Sequence, residues 1–412
     1  MSPGKVTIMK TSSMQAVKVA DSVYWVGAVD WGIRDFHGYA TQRGTTYNAF
    51  LILADKITLI DTVKAPFKNE MLARIASVVN PEDIDYIVSN HAEMDHSGAL
   101  PATAELICPE KIFASKMGIK ALHAHFGTGL ELTEVKTGDK IDLGGKTISF
   151  IETKMLHWPD SMFTYLEEDE LLFSQDAFGM HLACTDLFVD EHPMHLIKWE
   201  CEKYFTNILM PYSGKILALL DSVAEMGLSV KMIATDHGPV WRGDDVSTVL
   251  AWYREWSTQP LYPKAVIIYD TMWGSTAKMA ASIADGIRST GGITVKILPL
   301  SASDRSDVAT EMLESGALIV GSPTLNNQIF PSLADTLTYL KGLRPANLIG
   351  VAFGSHGWSG EAVKLLNQYL TDMNVDLVTD GLKVQYVPDE PDLLRCFELG
   401  ETIATELKKR LG

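Results

Sequence analysis

Cysteine is scarce in this 412-residue chain: Cys108, Cys184, Cys201 and Cys396 are the four, with no C-x-x-C pair. That scarcity excludes a disulfide framework, fits a reducing compartment and argues against a thiolate-held zinc or iron site within the chain. Long apolar runs are also missing. No window approaches the roughly 18 residues of a membrane span, and the stretch from Met1 to Val23 has no apolar core of signal-peptide length. The expectation is a cytoplasmic protein with no membrane partner. Basic charge is in deficit, since 35 Lys and Arg against 52 Asp and Glu leave a net charge of −17. A nucleic-acid partner held by phosphate neutralisation is therefore not expected.

What is present is a globular composition, 46% hydrophobic and 21% charged, able to bury full cores in two or three domains. The eleven histidines are unevenly spread, and only His356 lies beyond residue 237. A metal, if there is one, belongs to the N-terminal part. Up to about residue 250 the pattern is strand-rich and irregular: Ala49–Leu53 and Ile57–Asp61 suggest a hairpin, and Thr147–Glu152, Phe163–Leu166 and Leu171–Phe173 further strands. Pro66–Val79 and Tyr212–Met226 read as amphipathic helices. The proline-bearing stretch Trp256–Lys264 reads as a linker between domains at 1–255 and 265–412. From Ala265 onward strand and helix alternate, the signature of an α/β doubly wound parallel sheet.

In the second half, the first strand runs into Thr271-Met272-Trp273-Gly274-Ser275-Thr276 and then a helix. Hydroxyls and backbone N–H groups at a helix N-terminus suit a phosphate dianion. Neither a G-x-x-x-x-G-K-[ST] loop nor a G-x-G-x-x-G fingerprint is present, so a monophosphate fits best. Two later strand-end loops would flank a ring: Ser322-Pro323-Thr324-Leu325-Asn326-Asn327, and Ser355-His356-Gly357-Trp358-Ser359-Gly360. Trp358 could stack on an aromatic system. This half resembles a flavodoxin domain, which implies one non-covalent FMN.

In the first half, His91, Glu93, Asp95 and His96 follow the apolar run Tyr86–Val88, four potential ligands within six residues. His157, Asp176 and His237 each stand near the end of another apolar run. Residues of these types on loops after strands can converge on two adjacent metals. The region from about 20 to 250 resembles the metallo-β-lactamase fold, an αββα sandwich. Glu93 stands where its zinc hydrolases usually carry a second histidine. On that resemblance, one metal would take His91, Glu93 and His157, the other Asp95, His96 and His237, and Asp176 would bridge. Imidazole with harder oxygen donors suits iron.

The two halves together resemble the flavodiiron family. The resemblance implies FMN and two non-haem irons per subunit, and reduction of O2 to water, of NO to N2O, or of both. It also implies a head-to-tail homodimer or a dimer of dimers, and a separate electron donor such as a rubredoxin-like protein or a reduced deazaflavin. Electron counting agrees: two electrons on the iron pair and two on the flavin make the four that O2 needs. His37 and Tyr204 sit where family members have residues near the substrate, and Trp358 could pack between flavin and iron across the dimer. The competing readings are a binuclear zinc hydrolase with a flavodoxin module, and a pure electron carrier with a vestigial metal site.

Overall fold

A computed structural model describes residues 13–412; most of the N-terminal stretch inspected for a leader lies outside the described residues. The chain divides into two compact units. One comprises residues up to Asp35, Thr41–Tyr204 and Lys215–Tyr253; the other comprises Phe36–Ala40, Phe205–Gly214 and Arg254–Gly412. Two short segments of the N-terminal half thus fold with the C-terminal unit.

The first unit is a sandwich of two sheets. One has seven strands, in the order Val17–Ala20, Val23–Trp25, Phe50–Ile52, Thr58–Ile60, Tyr86–Ser89, Lys111–Ser115 and Leu132–Val135. The other has six: Lys140–Asp142, Thr147–Glu152, Met162–Leu166, Leu171–Gln175, Met232–Thr235 and Trp241–Arg242. Side-chain alternation along a strand explains the layering. Phe50, Val88 and Phe113 meet Phe150, Met162 and Phe173 between the sheets. Their chain neighbours Leu51, Ile87 and Ile112 point outward, under helices Lys68–Ala76 and Leu100–Ile107. Because both faces of these strands are buried, they read as continuous apolar runs.

The second unit is a parallel sheet in the order Thr294–Pro299, Lys264–Tyr269, Ala317–Gly321, Ile349–His356 and Asp376–Leu377, with Leu382–Gln385 also paired to Ile349–His356. Helices Ser275–Ser289 and Glu390–Leu411 pack on one face through Ile283, Ile287, Ile403 and Leu407. They cross closely: a Cβ on Gly286 would overlap the Phe397 carbonyl, and one on Gly400 the Ile283 carbonyl. Helix Asp244–Thr258 runs through Trp256, which is buried and donates to Glu314 Oε1 at 3.2 Å. Only residues 259–263 of the expected linker lie outside regular elements.

Candidate metal centre and flavin cleft

Strand direction brings the metal candidates to one end of the sandwich. Strand Leu171–Gln175 is parallel to Met232–Thr235, so Asp176 and His237, just beyond them, emerge together. The loop with His157 precedes Met162, whose N–H donates to the Asn90 carbonyl at 3.1 Å. That bond ties it to the loop that bears His91, Glu93, Asp95 and His96.

The seven side chains form two groups, His91, Glu93, His157 and Asp176, and Asp95, His96 and His237, with ligand atoms within 4.8 Å of one another in each. Asp176 joins them. Its Oδ2 lies 3.0 Å from His157 Nε2 and 3.3 Å from His91 Nε2, while its Oδ1 lies 3.2 Å from His96 Nε2 and 3.5 Å from His237 Nε2. Glu93 Oε2 completes the first group, 3.2 Å from His157 Nε2. Asp95 Oδ2 completes the second, 3.2 Å from His237 Nε2. His91 and His96 are fully buried, whereas Glu93 and His157 retain 14% and 16% side-chain exposure. Access is on that side.

The residues fit a pair of cations. His91 Nε2, His96 Nε2 and both carboxylate oxygens of Asp95 are buried with no hydrogen-bond partner, a costly arrangement unless another group satisfies them. Burial alone would raise the Glu93 carboxyl, but the His157 and His91 imidazoles beside it hold it at about 2. Burial likewise opposes ionisation of Asp176, and His96 with the neighbouring imidazoles pulls its pKa well below the carboxylate range. Burial disfavours charge on His91 and His96, yet the surrounding carboxylates raise both pKa values well above the ordinary imidazole range. Cations would supply the positive charge that these carboxylates otherwise draw from protons.

Two ligand imidazoles are held by acceptors on their far nitrogens, and a third has a carboxylate close by. His91 Nδ1 meets Asp160 Oδ2 at 3.0 Å, His96 Nδ1 lies 3.3 Å from Asp236 Oδ2, and His237 Nδ1 meets the Thr46 carbonyl at 2.6 Å. Such partners fix ring orientation and the tautomer that leaves Nε2 for a metal. Asp160, Asp236 and Thr46 escaped the sequence reading, although Asp160 and Asp236 stand within three residues of His157 and His237. Tyr204 is buried, and its hydroxyl donates to Asp176 Oδ1 at 2.8 Å. Buried His181 accepts or donates to Thr45 Oγ1 at 2.8 Å, its ring 4.7 Å from that of His237. His37 belongs to neither ligand group. It sits at the tip of the hairpin formed by Asp35–Phe36 and Tyr39–Ala40, which folds with the second unit through Arg305 Nε to the Gly38 carbonyl, 3.2 Å. His125 and His195 are exposed.

In the second unit, a cleft of about 470 Å³ opens at the carboxyl ends of the strands. Met272, Ser275, Pro323, Thr324, Asn326, Asn327, Ser355, His356, Gly357 and Trp358 line it, as do Trp273, Leu325, Ser359 and Tyr386. Tyr386 was not foreseen: it follows strand Leu382–Gln385, which lies beside Ile349–His356 out of sequence order. The remaining loop residues brace the cleft. Thr271 Oγ1 accepts from Gly274 N–H at 3.1 Å, and Gly274 takes φ +85 just before the helix, a conformation suited to glycine. Thr276 Oγ1 pairs with Ser355 Oγ at 2.9 Å, and Ser322 Oγ accepts from Phe330 N–H at 2.9 Å. Helix Ser275–Ser289 has no side-chain cap on its first N–H groups, which leaves them for an anion. Trp273 and Trp358 are 94% and 87% exposed. An aromatic phosphate ligand fits both ends of this cleft.

The ODP family beta lactamase model matches residues 45–238, and the flavodoxin model matches residues 267–400. The chain is 47% identical to a nitric oxide reductase of Moorella thermoacetica, over 95% of this chain and 99% of the relative. It is 45% identical to a rubredoxin-oxygen oxidoreductase of Megalodesulfovibrio gigas, over 97% of this chain and all of the relative. The solved structure of the flavodiiron protein from Giardia intestinalis superimposes with a TM-score of 0.94 at 34% identity, covering 97% of this chain and 98% of that one. FMN and two non-haem irons are the cofactors that go with this pair of domains. Alike to these oxidoreductases in sequence, fold and nearly full length, the chain belongs to the flavodiiron protein family.

Proposed function

We propose that the chain reduces O2 to water with four electrons, and that NO reduction to N2O is the second reading. The observation that carries the proposal is Asp176, whose two carboxylate oxygens face two separate groups of three ligands each. The second reading has its own support in the 47% identity to a nitric oxide reductase. When bound, the iron pair supplies binding and polarisation of a diatomic and two electrons, and FMN supplies two more.

The chain's own residues hold, orient and exclude. Glu93 in place of an imidazole gives the first group a second carboxylate beside Asp176, matching Asp95 and Asp176 in the other. Asp160 and the Thr46 carbonyl keep two imidazoles turned with Nε2 inward, and Asp236 lies beside a third. Tyr204 holds Asp176 Oδ1; burial and the Asp176 charge push the phenol pKa well up, so it stays a donor. The Glu93–His157 side, the more exposed part of the ligand set, is where a small molecule would enter.

Electrons would come from a separate protein or small carrier, a rubredoxin-like protein or a reduced deazaflavin. The head-to-tail homodimer, alone or paired into a dimer of dimers, would set the flavin of one protomer beside the metals of its partner, with Trp358 between them. No described helix is long and apolar enough to cross a membrane; the location proposed for the chain is the cytoplasm. The test is anaerobic reduction followed by stopped-flow mixing with O2 or NO, counting electrons delivered per chain. Rapid delivery of four to O2 with little peroxide bears the proposal out. Sustained faster turnover with NO selects the second reading, and no rapid consumption of either gas overturns both.

A further inference from the structure

The flavin cleft is lined almost wholly by neutral side chains. Among the described residues, His356 is the one basic side chain lining it, and no carboxylate does. His356 is half-buried at the end of strand Ile349–His356. Its loop is closed tightly around the ring: a Cβ at Gly360 would lie 3.1 Å from the imidazole, and Gly360 takes φ +76 there. Charged groups face it from two neighbouring elements. Register pairs Gly354 with Lys383 and His356 with Gln385, so Lys383 shares the face of the sheet on which His356 lies. Glu361 is the N-cap of the following helix, Ala362–Asp372, and the Ser359 hydroxyl lowers its carboxyl pKa, with Lys383 and His356 adding to the effect. Tyr386 contributes a neutral phenol.

We propose that His356 sets the flavin's reduction potential by compensating the negative charge that the ring gains on reduction. Two-electron reduction takes two electrons from the donor and one proton from solvent, so the reduced ring carries one more negative charge than the oxidised ring. A cationic or hydrogen-bond-donating imidazole favours that form, and no other side chain lining the cleft can carry that charge. Trp273 and Trp358 hold the ring in either state, so they do not discriminate between the two. The inference rests on the assignment of this cleft to FMN.

The test is the FMN midpoint potential in the iron-loaded protein, from anaerobic dye-equilibrated titration, together with the Kd of oxidised FMN. His356→Phe should bind oxidised FMN nearly as the parent does and reduced FMN about tenfold more weakly. That is a fall in potential of about 30 mV for a two-electron couple. His356→Lys should restore the potential. A His356→Phe protein with bound FMN and unchanged potential overturns the inference. If that variant holds no flavin, His356→Leu, which likewise lacks a donor and a charge, is judged by the same shift. A parent that takes up no FMN at all would instead sink the assignment of the cleft, a distinguishable failure.

Discussion

Tyr204 donates its hydroxyl to Oδ1 of Asp176, the oxygen that faces His96 and His237. The phenol therefore orients the shared carboxylate rather than lying free beside the metals. Tyr204→Phe keeps the buried ring and removes only the donor. Loss of such a partner typically costs about 10–100-fold in metal affinity or activity. Chelator competition should show iron lost from this variant at correspondingly lower chelator, with FMN content unchanged.

Asp176→Asn is the harsher change. It removes the one charge common to both ligand groups and gives one of them an amide nitrogen in place of an oxygen. Iron should fall from two to below one per chain, and turnover with either gas should collapse. FMN should remain bound, because no atom of the flavin cleft is touched. Metal analysis and the flavin absorbance of the purified variant check both halves of the expectation.

Thr271→Ala with Ser275→Ala tests the other site. Ser275 lines the cleft, and Thr271 Oγ1 braces the loop by accepting from Gly274 N–H. Losing hydrogen bonds to a charged phosphate costs roughly 1.5–3 kcal/mol each, so FMN should bind at least about tenfold more weakly. Two irons should stay in place. Iron lost along with the flavin would show that the two sites are not independent.

The regular half of the fold was open to sequence reading because its strands, such as Ala317–Gly321, are buried on both faces and carry unbroken apolar runs. The seven side chains that meet could be picked out for a related reason: each stands just past a strand, and each has a residue type that ligates metal. Their supports were hidden. The Thr46 carbonyl that orients His237 has no side-chain signature. Asp160 looks like any turn aspartate until strand pairing brings it to His91. Tyr386 reaches the cleft only because Leu382–Gln385 pairs with Ile349–His356 past an intervening strand. Nothing in the composition of residues 36–40 or 205–214 marks them as folding with the second unit; that follows from contacts such as Asn207 Nδ2 with the Ser306 carbonyl at 3.2 Å.

Gly400→Ala should destabilise the second unit. A Cβ there would overlap the Ile283 carbonyl, and the neighbouring Gly286 makes the mirror contact with Phe397. Backbone cannot yield as a flexible side chain would. Overpacking of this kind costs about 1–3 kcal/mol, which outweighs the gain of under about 1 kcal/mol from alanine's helix propensity. The temperature at which FMN is released should fall by roughly 4–8 °C for a loss of about 2 kcal/mol. An unchanged release temperature would mean that the two helices can separate without penalty.

Glu311 lies between Lys264 and Lys296, at 2.7 Å from each. Burial would raise its carboxyl pKa, but the two lysines outweigh that and lower it. A carboxyl lowered in the folded state stabilises the fold above its unfolded pKa of about 4.3, and that contribution is lost as pH falls through the folded pKa. Lys296 is 46% exposed and so partly screened by solvent. Glu311→Gln should therefore cost only about 1 kcal/mol at pH 7. The carboxyl is the one group that the substitution changes, so it governs the difference. Urea unfolding of parent and variant should give curves separated at pH 7 that converge as pH drops below 4.3. A gap that persists at low pH would assign the effect to packing of the side chain rather than to its charge.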